Sequence, residues 1–478
     1  MRINDHPILS FPETETITFS YQGREINAKR GETIAAALHN AGITELRNSG
    51  DRERGRGLFC AIGKCSSCLM KVDGVPNVRT CITMVQEGME VEKQTGFPEI
   101  PSKSTKLKSE IIEKKSPEVL VIGGGPAGLR ASLTAASAGA SVLVIDENPL
   151  LGGQMIKQTH KFFGSSDQEA GERGKDIGDR LSREVSDHPE IEVMTSTSAV
   201  GIFEEKVGIY KNREKFLKVD PEKTIVATGA TEDMIKFPNN DMPGVYGAGG
   251  VQTLMNVYGV KPGDRVLMVG AGNVGLIITY QLLQANVEVA AIAEIASEIG
   301  GYFVHAAKIR RHGIPIITDH RVSRVEGTEK VERAVIEEVG DSGEVIQGTE
   351  KKFDVDVVAL AAGLSPSYKL LNHGGCELEF QPALGGHVPK RDKRMRTTRE
   401  EIYVAGDASG IEEATSAMLE GAIAGADAAL SIGKGGPGEE DIIRDAREKL
   451  EKLRAGSYYD NLRSGLQEVE KPSRTKEQ

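Results

Sequence analysis

Cys60, Cys65, Cys68 and Cys81 form C-x4-C-x2-C-x12-C, and they are four of the five cysteines in this 478-residue chain. The C-x4-C-x2-C spacing of the first three suits a [2Fe–2S] cluster. Such a cluster needs four thiolates to converge on two irons. It also needs a backbone curled tightly enough for amide N–H groups to face the sulfurs, and the small residues Ala61, Gly63, Ser66 and Ser67 permit that curl. A structural zinc ion would call for two C-x-x-C knuckles, and only Cys65–Cys68 is one. Disulfides belong to oxidising compartments. The four thiols are therefore expected to be metal ligands.

A second kind of chemistry is written in glycine. Gly123-x-Gly125-x-x-Gly128 follows the apolar run EVLVI and opens a helical pattern, with Pro126 and Ala127 inside the loop. In that setting the glycines allow a tight turn, close approach of a pyrophosphate, and packing of helix on strand. Free N–H groups at the helix start then favour the anion. Asp146, with Glu147 beside it, ends the next apolar run at the distance expected of a ribose-binding acid. TIVATGA, around Thr228 and Gly229, looks like the strand-end turn of FAD-dependent reductases, and IYVAGDASG resembles the stretch with which such proteins contact FAD, through Gly406 and Asp407; this resemblance implies FAD. Gly153 and Gln154 belong to the same loop system. Gly270-x-Gly272-x-x-Gly275 repeats the pattern, with Asn273 and Val274 inside it. There the position equivalent to Asp146 is Ala293, and Glu294 follows one later. With Glu294 present and no arginine directly after it, NAD(H) is expected rather than NADP(H).

These groups need elements to hold them. ETITFSYQ and REINAKR alternate as half-buried strands, with a turn at Gln22-Gly23. GETIAAALHNAG reads as a short helix, and further strands flank the cysteines, which together suggest a β-grasp unit over 1–97. Residues 98–117, rich in Lys, Ser and Pro, read as a linker. The strand runs around both glycine loops are unbroken and apolar, as in parallel sheets covered on both faces. The expected fold is α/β: two Rossmann-like domains of glutathione-reductase type behind the β-grasp [2Fe–2S] domain. The first dinucleotide domain is expected over 118–245 and 351–433, the second over 246–350, and a charged helical tail over 434–478.

Composition narrows the function. A net charge of -11 argues against bulk nucleic-acid binding. No apolar run approaches the ~20 residues of a membrane helix. The N-terminus lacks the apolar core of a secretion signal, so a cytoplasmic protein is expected. The loop after Gly152-Gly153-Gln154 has no cysteine, which removes disulfide-reductase chemistry. Lys157 and His160 could lie near a flavin ring. No Ser-His-Asp set, His-rich metal site or proton-transfer pair is visible, so no catalytic residue is assigned.

The stretches IGGGPAGLRA, DENPLLGGQ, MVGAGNVGL and VAGDASGIEEATSAMLEGAIAGADAAL resemble two-dinucleotide-domain flavoproteins. Among these they are most similar to the α-type subunits of heterotetrameric sarcosine oxidase, dye-linked L-proline dehydrogenase, opine oxidase and hydrogen cyanide synthase. CAIGKCSSCLMKVDGVPNVRTC, followed by EGMEV, is similar to the small iron–sulfur unit of the same systems. The resemblance implies an oxidoreductase with FAD, a [2Fe–2S] cluster and possible NAD. It also implies a β-type flavoprotein partner, an amine or amino-acid substrate, and a hetero-oligomer without a membrane span. Two other readings stay open at this point: a stand-alone NADH-dependent reductase of a small electron carrier, and a nucleotide-binding scaffold subunit.

Overall fold

The computed structural model of the chain describes all residues except 12, 51–52, 99–112, 162–168, 205, 213–214 and 471–478. Most of the linker expected over 98–117 lies outside the described residues. The chain divides into two compact units, Met1–Ser104 with Glu232–Gly363, and Thr105–Thr231 with Leu364–Gln478.

In the first unit, strands Thr16–Tyr21 and Arg24–Lys29 form an antiparallel hairpin. Gln22 and Gly23, with φ of 49° and 77°, make its turn. Both positive φ values match the right-handed twist of the flanking strands. Alternation buries Ile17, Phe19 and Tyr21 on one face. The first strand also pairs in parallel with Glu90–Glu92. Leu69–Val72 and Val75–Arg79 complete a five-stranded mixed sheet. The helix Ile34–Asn40, capped by Thr33, packs on it. This is a β-grasp arrangement.

The same unit holds a five-stranded parallel sheet, in the order Val245–Gly247, Val357–Leu360, Arg265–Val269, Glu288–Ala293, Ile316–Ile317. Val245–Gly247, Val357–Leu360 and Arg265–Val269 are almost wholly buried, and the helix Asn273–Gln284 follows the central strand. The β-grasp module does not stand apart from this sheet. Ile17, Phe19, Leu38 and Met70 share one apolar core with Tyr246, Val266, Leu276 and Val357. Arg54 and Arg56 both reach Asp241, at 2.9 and 3.3 Å.

The second unit is built on another parallel sheet, Ile191–Met194, Val142–Ile145, Val119–Ile122, Lys223–Val226, Ile402–Val404. Its central strands are buried on both faces. The long helix Ala414–Ser431 lies against Pro126–Ser137 at very close range. A Cβ on Gly421 would stand 2.1 Å from the Ala127 carbonyl oxygen, and one on Gly425 2.3 Å from that of Ala131. Glycine alone permits this approach. The helices Pro437–Leu453 and Asp460–Val469 end the described chain.

Candidate functional site: a thiol loop and two glycine cradles

Cys60, Cys65 and Cys68 sit on a tightly wound loop that leads into the strand Leu69–Val72, and Cys81 follows the strand Val75–Arg79 of the β-grasp module. Ala61 and Gly63, with φ of 52° and 77°, wind the loop, and the winding turns amides toward sulfur. Gly63 N–H donates to Cys81 Sγ at 3.3 Å, and Cys65 N–H donates to Cys60 Sγ at 3.4 Å. Thr80 fixes the far side through a 2.8 Å bond from its hydroxyl to the Cys68 carbonyl. Arg47 Nη1 donates to the Ser66 carbonyl at 3.0 Å. Cys60, Cys68 and Cys81 are buried, Cys65 is partly exposed, and none is in a disulfide.

The four thiols neighbour one another in a chain. Cys60 meets Cys65 and Cys81, and Cys68 meets Cys81. Hydrogen bonds from Cys65 and Cys81 push the Cys60 thiol down, and one from Cys81 pushes Cys68 down. Cys65 and Cys81 are pushed up, first by bonding to Cys60. Among the described residues no three His, Cys, Asp or Glu side chains are grouped to hold a single ion. Four neighbouring thiols with main-chain N–H groups aimed at sulfur fit a two-iron cluster.

The first glycine loop joins Val119–Ile122 to Pro126–Ser137. Gly123 has φ of 110°, and a Cβ there would stand 2.2 Å from the Ala227 carbonyl. At Gly128 it would stand 1.8 Å from the Gly123 carbonyl. Gly125 differs: its nearest neighbour is Gly153 Cα, 3.9 Å from the Cβ position, so a cradle stays open at the helix start. Pro126 takes the first helical position, where its missing N–H costs nothing. The Asp146 carboxylate accepts from Gly124 N–H at 2.7 Å and from Asn148 N–H at 2.7 Å. Burial pushes its pKa up against those bonds. Glu147 is half-buried beside it, Gln154 is exposed and Lys157 is buried.

The chain returns to this loop twice. Thr228 N lies 3.3 Å from the Gly123 Cβ position, and Gly229 O accepts from Ser367 N–H at 2.9 Å. Gly406, with φ of 70°, rests on Ala127, which brings Asp407 to the start of the same helix. Asp407 keeps some accessible surface, yet protein surrounds it so fully that burial pushes its pKa up to about 7.

The second loop repeats the first closely. A Cβ on Gly270 would stand 2.3 Å from the Ala361 carbonyl, one on Gly275 2.0 Å from the Gly270 carbonyl, and Gly272 faces open space. Glu294, not Ala293, does here what Asp146 does in the first. It accepts from Ala271 N–H at 2.6 Å and Ala296 N–H at 2.9 Å. The offset has a physical cause. Val266 pairs with Val289 but Leu267 with Ala291, so a bulge inserts Ala290 and carries the acid one residue further. A further likeness is Gly301, which makes the bond that Gly152 makes in the first loop. Gly301 N–H donates to Ala271 O at 3.0 Å, as Gly152 N–H does to Gly124 O at 2.8 Å. Asn273 replaces Pro126 and accepts from Tyr302 N–H at 2.8 Å, while Val274 is exposed at the rim.

Residues 117–421 match the pyridine nucleotide-disulphide oxidoreductase family, and residues 14–96 match the 2Fe-2S iron-sulfur cluster binding domain. The chain belongs to the pyridine nucleotide-disulphide oxidoreductases. Its cofactors are FAD, held by the oxidoreductase fold, and a [2Fe–2S] cluster, held by the N-terminal domain. The alpha subunit of sarcosine oxidase from Corynebacterium sp. (strain P-1) is 25% identical over 451 residues, 89% of this chain and 45% of that one. An opine oxidase subunit from Rhizobium meliloti is 27% identical over 332 residues, 66% of this chain and 63% of that one. L-proline dehydrogenase from P. horikoshii superposes with a TM-score of 0.67 at 26% identity, over 92% of this chain and 79% of that one. The chain spans about half the length of the sarcosine oxidase alpha subunits it matches. Its fifth cysteine, Cys376, is buried and hydrogen-bonded to Thr397 at 3.3 Å. Among the described residues no helix is long and apolar enough to cross a membrane.

Proposed function

We propose that this chain is the α-type subunit of a cytoplasmic amine or amino-acid dehydrogenase or oxidase, working with a β-type flavoprotein partner. The observation that carries the reading is the thiol loop, with N–H groups turned onto sulfur, in one chain with an open dinucleotide cradle. In this reading Cys60, Cys65, Cys68 and Cys81 hold the cluster. Gly125 and the start of the helix Pro126–Ser137 receive the FAD pyrophosphate. Asp146 fixes the glycine loop, and Glu147 stands beside it for the ribose. Thr228, Gly229, Gly406 and Asp407 close on the rest. Gly272, Asn273, Val274 and Glu294 form a second cradle for NAD(H).

Flavin exchanges electrons as hydride or singly, and an iron–sulfur cluster only singly, so together they link an organic donor to a one-electron carrier. The chain's own contribution is to orient, to exclude water and to hold N–H dipoles at sulfur and phosphate. The names of the relatives, sarcosine oxidase, opine oxidase and proline dehydrogenase, support an amine or amino acid as the donor.

Anaerobic purification of the chain, alone and with co-purifying partner, tests this. The expected spectrum combines a flavin band with cluster absorbance, and NADH alone leaves the flavin oxidised. Bleaching by NADH points to a self-contained reductase, and colourless protein overturns the reading. Cys65→Ser should abolish the reduced-cluster EPR signal and the iron while FAD content stays at wild-type level.

A further inference from the structure

The stretch GAGG at 247–250 belongs to neither nucleotide loop. It opens the helix Ala248–Asn256 in the first unit, with Gly247 as the extended N-cap. Glycine is ordinary at a cap, but inside a helix it costs about 1 kcal/mol relative to alanine. Gly250 lies inside. The reason is the backbone it faces. A Cβ on Gly250 would stand 2.0 Å from the Phe59 carbonyl oxygen and 3.4 Å from the Cys60 carbonyl carbon. Gly247 N–H donates to that same Phe59 oxygen at 3.2 Å. Gly249 N–H is held by Glu232 at 2.6 Å, which anchors the start of the helix. Phe59 and Cys60 are buried in one apolar core with Val245, Leu267 and Val269.

We infer that Gly250 is a positioning residue for the iron–sulfur cluster, and that the helix Ala248–Asn256 is the seat on which ligand Cys60 rests. Among the peptide groups that flank the four cysteines, the one before Cys60 is fixed from outside the β-grasp module, by main chain of the neighbouring sheet region. No side chain fits between them. Any substituent at Gly250 therefore moves the Phe59–Cys60 peptide, and with it one iron ligand. The inference rests on the assignment of Cys60 to the cluster.

Gly250→Ala in the full-length chain, purified anaerobically, tests it. The reduced variant is expected to show shifted EPR g-values and a shifted midpoint potential. Iron release to a chelator is expected to accelerate several-fold, while FAD content and far-ultraviolet circular dichroism match wild type. Unchanged g-values, potential and release overturn the inference. Equal loss of flavin and iron overturns it too, because that marks a fold-wide defect rather than a displaced ligand. Cys65→Ser separates the two levels of the argument. If it keeps its iron, the cluster assignment falls; if it loses iron while Gly250→Ala behaves as wild type, only the seat does.

Discussion

Asp407 is the titratable residue of the first cradle whose surroundings distort it most. It sits in the turn Gly406–Ser409, and burial, reinforced by Glu412 and Glu420, pushes its pKa up to about 7. A carboxyl raised in the folded state stabilises the protein while it is protonated. That contribution is complete below about pH 4 and is lost as pH rises through 7. Asp407→Asn in flavin-free protein should therefore be more thermostable than wild type, by a margin that widens from pH 5 to pH 8. Melting curves at both pH values check this, and a constant margin would contradict the assignment. The thiol loop and both glycine turns were legible in the sequence, because such backbone restricts them to a few residue types at set intervals. Glu294 was legible only to within one position. Its place depends on the bulge at Ala290, and VEVAAIAE would serve equally well as a regular strand.

At the scale of elements, the charged tail has a role that its composition concealed. Arg454, at the end of the helix Pro437–Leu453, binds Glu412 through two nitrogens, at 2.9 and 2.6 Å, and Glu420 at 2.9 Å. The other oxygen of Glu420 accepts from Gly406 N–H at 3.0 Å and from the Ser409 hydroxyl at 2.7 Å. The tail thus braces the turn that carries Asp407. Removing one partner from a buried ion cluster costs ~3–5 kcal/mol, because the remaining charges lose their compensation. Arg454→Met should lower the melting temperature by several degrees and speed FAD release, measured by the rise in flavin fluorescence. Arg454→Lys should restore part of both. Helical periodicity makes such a tail predictable as a helix. It cannot say which carboxylates the last turn will meet, because Glu412 and Glu420 are brought there only by tertiary packing. The glycines of Ala414–Ser431 are a similar case: composition displays them, but their reason is the carbonyl row of another helix.

At the scale of the molecule, the β-grasp module and the second glycine-loop region make one body. His39 marks the joint. Its Nε2 shares a 2.8 Å hydrogen bond with the Tyr246 hydroxyl, and burial lowers its pKa to about 4. A depressed histidine stabilises the fold above its usual pKa near 6.5, and that stability drains away as pH falls through 4. Wild type should therefore lose on the order of 3 kcal/mol between those limits. His39→Phe, uncharged throughout, should show a flatter melting-temperature profile across the same range; an identical profile would show that His39 does not govern the acid response. The helix IAAALHN, apolar on nearly every side, hints that it is covered twice, but no local pattern names the second cover.

That shared core sets a timetable for biosynthesis. Val91 leaves the ribosome long before Ala359, its companion in the same apolar cluster. At ~5–20 residues per second the wait is on the order of tens of seconds. Through that interval the nascent thiols stand on a half-assembled platform, open to oxidants and to stray metal ions. A cluster bound before Ala359 emerges would therefore rest on an incomplete core, and tight iron binding is expected only once that sheet has been made.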